Sequence, residues 1–215
     1  MKIGILGSGA VGSAIGGKLV ALGHEVKMGS RTATNEKAAA WVASAGKGAS
    51  QGTFADAASF GEIVFNCTNG NATLEVLQQA GAQNFTGKIV VDVSNPLDFS
   101  KGFPPSLSVA NTDSLGEQVQ RALPDAKVVK TLNTVSNPVM IDPARVKGDH
   151  DLFVCGNDAG AKAEVTRILR EWFGWKHIID LGDITQARGT EMYLPLWVRL
   201  YGVLGKAEFN IHVVT

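Results

Sequence analysis

A short apolar segment, Met1 to Leu6, runs straight into Gly7-Ser8-Gly9-Ala10-Val11-Gly12 and then into a helix-forming stretch, Ser13 to Leu22. No other feature restricts the fold as much. A buried strand, a turn with glycines at its first, third and sixth places, and a helix together predict the opening βα unit of a dinucleotide-binding α/β fold. Each glycine answers a separate demand. Gly7 allows a sharp turn, Gly9 leaves the backbone bare where a pyrophosphate approaches, and Gly12 lets helix and strand pack closely. The helix offers its free N–H groups and the positive end of its dipole to the anion. Glycine is common in this chain, 25 residues of 215, so the spacing alone carries little. Its place between a strand and a helix carries the assignment.

The next strand, Glu25 to Gly29, ends in Ser30-Arg31-Thr32 with no carboxylate at its tip. A site for NAD places an Asp or Glu there to bind the ribose 2′-hydroxyl, whereas a site for NADP offers positive charge. Arg31 can stack on adenine and bind a 2′-phosphate, and Ser30 and Thr32 can donate hydroxyls to its oxygens. The expected nucleotide is therefore NADP(H). The plainer reading keeps Ser30 or Thr32 as the cap of the next helix and Arg31 as a surface residue.

Further units follow in the same rhythm: a helix over Asn35 to Ala45, a short edge strand within Gly46 to Gly52, and a capping box at Thr53-Phe54-Ala55-Asp56. Apolar strands then run over Ile63 to Cys67, Lys88 to Val93 and Lys127 to Thr131, with helices over Thr73 to Ala80 and Ser114 to Leu123. Five βα units and a sixth strand amount to a doubly wound parallel sheet, the Rossmann architecture. Ligands of such sheets bind beyond the carboxyl ends of the strands. That rule brings the turn Thr68-Asn69-Gly70-Asn71-Ala72 to the nucleotide, while the next two apolar strands end in Ser94-Asn95-Pro96-Leu97 and Leu132-Asn133-Thr134-Val135. The segment from Asp98 to Thr112 has no periodicity, and a substrate lid and a disordered insertion both fit it. We divide the chain into a nucleotide-binding domain, residues 1–146, and a small α+β appendage on the same core, residues 147–215. The appendage holds a strand over Asp151 to Cys155, a helix over Ala159 to Trp172, a strand over Trp175 to Leu181, and one last helix over Thr185 to Val203, kinked by Pro195. Its apolar side, with Leu194, Trp197, Val198, Leu200 and Tyr201, needs cover from the domain or from a second subunit, and a homodimer is the expectation.

Composition narrows the function classes. Twenty basic residues balance twenty acidic ones, so no net field favours nucleic acid or an anionic membrane. Cys67 and Cys155 lie far apart in apolar strands, as buried free thiols of a reducing compartment do. Neither combines with the four histidines into a metal pattern. The amino terminus lacks the charged and apolar regions of a signal peptide, and no run reaches the ~20 apolar residues of a membrane span. A cytoplasmic protein without a structural metal is expected. No catalytic acid or base stands out either. His150, His177 and Glu191 are the nominees, and position alone makes each a packing or surface residue.

The assembled motifs resemble the NADP-dependent oxidoreductases that use the deazaflavin coenzyme F420. They are also similar to the cytoplasmic oxidoreductase domain of the six-transmembrane ferric reductases. The likeness rests on Gly7 to Gly12, Gly29-Ser30-Arg31, Val91 to Pro96, Val128 to Val135 and Val154-Cys155-Gly156-Asn157-Asp158, and it spans essentially the whole chain. It implies that Ser8, Ala10, Val11, Ser30 and Arg31 contact the adenosine and phosphate parts of NADP. It further implies that Thr68, Asn69, Asn95, Pro96, Asn133, Thr134 and Val135 surround the nicotinamide half. The implied reaction is hydride transfer between nicotinamide and a stacked planar ring, F420 or a flavin such as FMN or FAD. Such transfer depends on proximity and orientation more than on an acid or base. Two other readings stand beside it: an NADPH-dependent reductase of a small carbonyl or imine substrate, and an NADPH-binding redox sensor without catalysis.

Overall fold

The computed structural model describes residues 1–215. In chain order the elements are β1 (Lys2–Leu6), α1 (Ala10–Ala21), β2 (Glu25–Ser30), α2 (Glu36–Ala45), β3 (Ala49–Thr53), α3 (Phe54–Phe60), β4 (Ile63–Asn66), α4 (Thr73–Ala80), β5 (Ile89–Asp92), β6 (Leu97–Asp98), β7 (Ser106–Leu107), α5 (Leu115–Ala122), β8 (Lys127–Thr131), α6 (Asn137–Ile141), β9 (Asp151–Gly156), α7 (Ala159–Glu171), β10 (His177–Asp180), α8 (Ala187–Met192) and α9 (Leu194–Leu204). Eight strands form one sheet in the order β10-β9-β8-β5-β4-β1-β2-β3. The six from β3 to β8 are parallel, and the reversal of chain direction across the sheet falls between β1 and β4. A crevice opens at such a switch point, and nucleotides bind there.

Alternation along each strand divides the core between the two faces of the sheet. Ile3, Ile5, Ile63, Phe65, Val91 and Val129 pack on one side with Ile15 and Leu19 of α1, Trp41 of α2, and Val165 and Ile168 of α7. Leu6, Val64, Val90 and Val128 pack on the other with α3, α4 and α5. Both faces are covered, which explains why these strands read as continuous apolar runs. Helix starts are set by side chains. Thr53 and Asp56 form the reciprocal capping box at α3, and Asn35 caps α2 by accepting from Ala38 N–H at 3.1 Å. That cap removes the plainer reading of Ser30 and Thr32, since neither caps α2.

The carboxyl-terminal part adds two features to the expected α+β appendage on the same core. First, β9 and β10 extend the main sheet, and β9 runs antiparallel to β8 while β10 is parallel to β9. The connection through α6 does not return to the far end of the sheet, so the strand that follows must run backwards. Second, the last helix is not one kinked rod. A 3₁₀ turn, Ile184–Gln186, leads into α8, and α9 begins afresh at Leu194 with Pro195 in its first turn. Proline lacks an N–H that a first turn would leave unbonded anyway, so it starts this helix at little cost. After Gly205 the chain runs along the body, with Ser136 Oγ donating to Ala207 O at 2.8 Å and Asp151 N–H to Ile211 O at 2.9 Å. Of the apolar residues of α9, Leu194 and Val198 are buried and Trp197 stacks on Phe209, whereas Leu196, Tyr201, Val203 and Leu204 face solvent. No helix is long and apolar enough to cross a membrane.

Candidate nucleotide and hydride-transfer site

The three motif glycines are needed for three different reasons. Gly7 sits at φ +109°, and a Cβ there would stand 2.8 Å from Cys67 O; a Cβ on Gly12 would stand 2.0 Å from Gly7 O. Protein packing alone therefore requires these two. Gly9 is exposed, and a Cβ on it would meet no protein atom within 4 Å. Nothing in the chain itself explains Gly9, but an anion resting against the backbone at the start of α1 does. That helix carries no acidic residue in its first turn and no side-chain cap, so its N–H groups are free for the same anion. The residues present thus fit a dinucleotide.

At the tip of β2, Ser30 is buried and its Oγ donates to Thr32 O at 2.7 Å, while Thr32 Oγ1 donates to Thr34 O at 2.9 Å. Both hydroxyl protons are engaged by local backbone. Arg31 is exposed and belongs to no ion pair of the structure. It is a free cation at the carboxyl end of β2. Ser8, with Oγ 3.3 Å from Asn35 Oδ1, ties the glycine turn to the start of α2.

The turns after β4, β5 and β8 are fastened to one another. A Cβ on Gly70 would fall 1.9 Å from Asn95 O, so only glycine lets the first turn touch the second. Asn71 Nδ2 donates to Leu97 O at 3.2 Å. Asn95 Nδ2 donates to Asn133 O at 2.8 Å, and Asn133 Nδ2 returns to Asn95 Oδ1 at 3.1 Å. Leu132 stands at φ +62°, a conformation that costs an ordinary residue about 1–2 kcal/mol, and this sharp turn delivers Asn133 to its partner. Between the turns lies a cleft of about 180 Å³, lined by Val11, Cys67, Thr68, Asn69, Gly70, Val93, Ser94, Asn95, Leu97 and Phe99.

Six of the sequence-predicted residues thus meet in one cleft: Val11, Thr68, Asn69, Gly70, Asn95 and Leu97. Others are placed differently. Ala10 is exposed in the first turn of α1, and Pro96 is buried beneath the β5 turn. Asn133 acts through its pairing with Asn95. Val135 belongs to the hydrophobic core. Thr134 faces a second cavity of about 230 Å³, shared with Phe153, Leu181, Gly189, Thr190, Tyr193 and Ile211, where neither its Oγ1 nor Tyr193 OH has a hydrogen-bond partner. Of the nominated acids and bases, His150 is buried edge-on to Trp175 with Nε2 3.1 Å from Pro143 O, and His177 is exposed at the start of β10.

Glu191 belongs to a buried charge network under the β5 and β8 turns that the sequence reading missed. Asp92 and Lys130 face each other in the register of β5 and β8. Lys130 Nζ donates to Asp92 Oδ2 at 2.8 Å and Ser94 O at 2.6 Å, and pairs with Glu191 Oε1 at 2.8 Å. All three of its protons are used, and all three charged side chains are essentially inaccessible. Asp92 Oδ1 also accepts from Asn66 Nδ2 and Ser94 Oγ, and Asn66 Oδ1 in turn accepts from Thr68 Oγ1 at 2.7 Å. Glu191 accepts the first N–H groups of α5, from Leu115 and Gly116, where the helix dipole offsets the second negative charge. Burial alone would lower the pKa of Lys130; the two carboxylates outweigh it and hold the ammonium above its ordinary value. One clue was available in the sequence: opposite charges embedded in two apolar strands, Val90-Val91-Asp92-Val93 and Val128-Val129-Lys130.

A family model described as "NADP oxidoreductase coenzyme F420-dependent" matches residues 2–96. A crystal structure from Arthrobacter sp. FB24, a candidate F420-dependent NADP-reductase, shares 50% of its residues over 100% of both chains with a TM-score of 0.94. The chain belongs to this family of NADP oxidoreductases. Metalloreductase STEAP3 of Rattus norvegicus is 29% identical over 91% of the chain, which spans only 38% of that curated relative's length. A reductive aminase from Aspergillus terreus in complex with NADPH, 19% identical over 95% of this chain and 62% of its own, shares the fold at a TM-score of 0.66. As a member of the family the protein is an NADP-dependent oxidoreductase.

Proposed function

We propose that this oxidoreductase moves a hydride between the nicotinamide of NADP(H) and a planar fused-ring partner, coenzyme F420 or a flavin such as FMN or FAD. The single observation that carries this reading is the lining of the 180 Å³ cleft, where Cys67 is the only titratable side chain. Burial, and then the Asp92 carboxylate, push its thiol well above the ordinary range, so it neither donates nor accepts a proton near neutral pH. A small carbonyl or imine substrate calls for a proton donor at the reacting centre. A fused ring does not, because the ring system takes up the charge itself.

NADPH, when bound, supplies the hydride. The protein's own part is to bind and orient. Gly7, Ser8, Gly9, Ala10, Val11 and Gly12 hold the pyrophosphate against the N-terminus of α1. Arg31, flanked by Ser30 and Thr32, binds the 2′-phosphate. Thr68, Asn69, Gly70, Asn95, Pro96 and Leu97 enclose the nicotinamide half, backed by Asn133, Thr134 and Val135. Holding two rings face to face at about 3–3.5 Å supplies most of what the step requires. We place the protein in the cytoplasm, where its two free cysteines stay reduced. We take it to be a homodimer covering Leu196, Tyr201, Val203 and Leu204 of α9, so light scattering should give twice the chain mass; a monomer would remove that part. Anaerobic assays with F420, FMN and FAD should show acceptor-dependent loss of NADPH absorbance with at least one of them. Tight NADPH binding without turnover on any would mark a redox sensor instead.

A further inference from the structure

The cleft is too small for both reactants. Sites that bury a drug-sized ligand measure roughly 300–1,000 Å³, against about 180 Å³ here. One ring with its ribose fills it, and a stacked partner has to lie across its mouth. The residue at that mouth is Phe99, which lines the cleft while leaving 53% of its surface in water; Phe103, in the same segment, leaves 65%. Two such exposed aromatics close together in sequence are unfavourable unless something covers them.

The segment that carries them is built, not slack. Leu97 pairs with Leu107 and Asp98 with Ser106 in the β6–β7 ladder. Ser108 N–H donates to Pro96 O at 2.8 Å, and Asp98 accepts from Ser100 N–H and Oγ at 2.8 and 3.0 Å. Gly102 N–H closes a turn onto Phe99 O at 2.9 Å, and Asn71 holds Leu97 from the β4 turn. The base of the hairpin is thereby fixed to the same turns that shape the cleft.

We infer that Phe99 is the acceptor-side wall of the site, an aromatic platform against which a fused tricyclic ring, isoalloxazine or deazaflavin, packs as it lies across the nicotinamide, with Phe103 enlarging that platform. The inference rests on the hydride-transfer reading above and adds to it the residue that selects a planar acceptor. Ring-on-aromatic stacking removed by alanine substitution typically costs enough to weaken binding roughly tenfold.

The test uses the full chain saturated with NADP⁺ and reads quenching of FMN and F420 fluorescence, with NADPH affinity measured separately by calorimetry. Phe99→Ala should weaken FMN or F420 binding roughly tenfold and NADPH binding far less, while Phe99→Trp keeps both. The half-exposed position makes either variant compatible with folding, and an unchanged melting curve verifies that. Unchanged ring affinity in Phe99→Ala overturns the platform, and so does an equal loss for NADPH, which would make Phe99 a nucleotide contact. Wild type that binds neither FMN nor F420 overturns the acceptor reading itself, and the platform with it.

Discussion

Replacing Lys130 by methionine should lower the free energy of unfolding by about 3–5 kcal/mol, because it strands two carboxylates in the interior. Asp92 and Glu191 share one ammonium between them, and methionine fills the volume while supplying no charge. The expected result is a large drop in the urea midpoint with the slope of the transition preserved. A triple variant, Asp92→Asn, Lys130→Met, Glu191→Gln, should regain part of the loss, since it removes the charges along with their partner. The network also fixes geometry. Ser94 O, on the turn that leads to Asn95, is held by Lys130, and Thr68 is held through Asn66. Whatever fold the Lys130 variant retains should therefore bind NADPH less well, although Lys130 lines no part of the cleft. A loss below about 1 kcal/mol would mean that water reaches these groups, contrary to their burial.

The second large effect is one of selectivity. Arg31→Ala should weaken NADPH binding by about 1.5–3 kcal/mol, the worth of a charge-assisted contact, and barely alter NADH binding. Calorimetry with both nucleotides checks this. The hydroxyls of Ser30 and Thr32 already donate to backbone, so Arg31 should carry most of the discrimination and Ser30→Ala should cost much less. Equal losses for the two nucleotides would show that Arg31 reads something common to both, such as the adenine face.

Much of this architecture was legible in the chain, for identifiable reasons. Strands buried on both faces leave uninterrupted apolar runs, so β1, β4, β5 and β8 announced themselves, and the glycine motif fixed how the first of them connects. Gly9 stood out by its spacing to Gly7 and Gly12, and it is the one motif glycine at which a Cβ would meet no protein atom within 4 Å. Strand direction was not legible: β9 has the same apolar pattern whether it runs with or against β8, and only the course of α6 decides. Proline disrupts a helix interior and begins a helix equally well, so Pro195 in the sequence fits a kink as well as the fresh start at Leu194. Thr134 and Val135 stand beside the nicotinamide only through the family resemblance; in the fold Thr134 faces the second cavity and Val135 packs in the core, so neither reaches the cleft except from behind Asn133. The Lys130 network was hidden for another reason. A charge in a strand usually marks a solvent-facing position, and pairing across 38 residues with Asp92, or farther still with Glu191, requires the assembled sheet. Phe99 lies in a segment with no periodicity, where nothing local distinguishes a platform from an idle loop.

Hydrogen should pass directly from nicotinamide to a planar acceptor over a cleft without an acid or base. Mass spectrometry of F420 reduced by the protein with NADPH deuterated at C4 measures that passage. Deuterium carried on the reduced ring, undiluted by solvent hydrogen, is the predicted result; reduced F420 without the label, or no reduction of F420 or flavin at all, would contradict it.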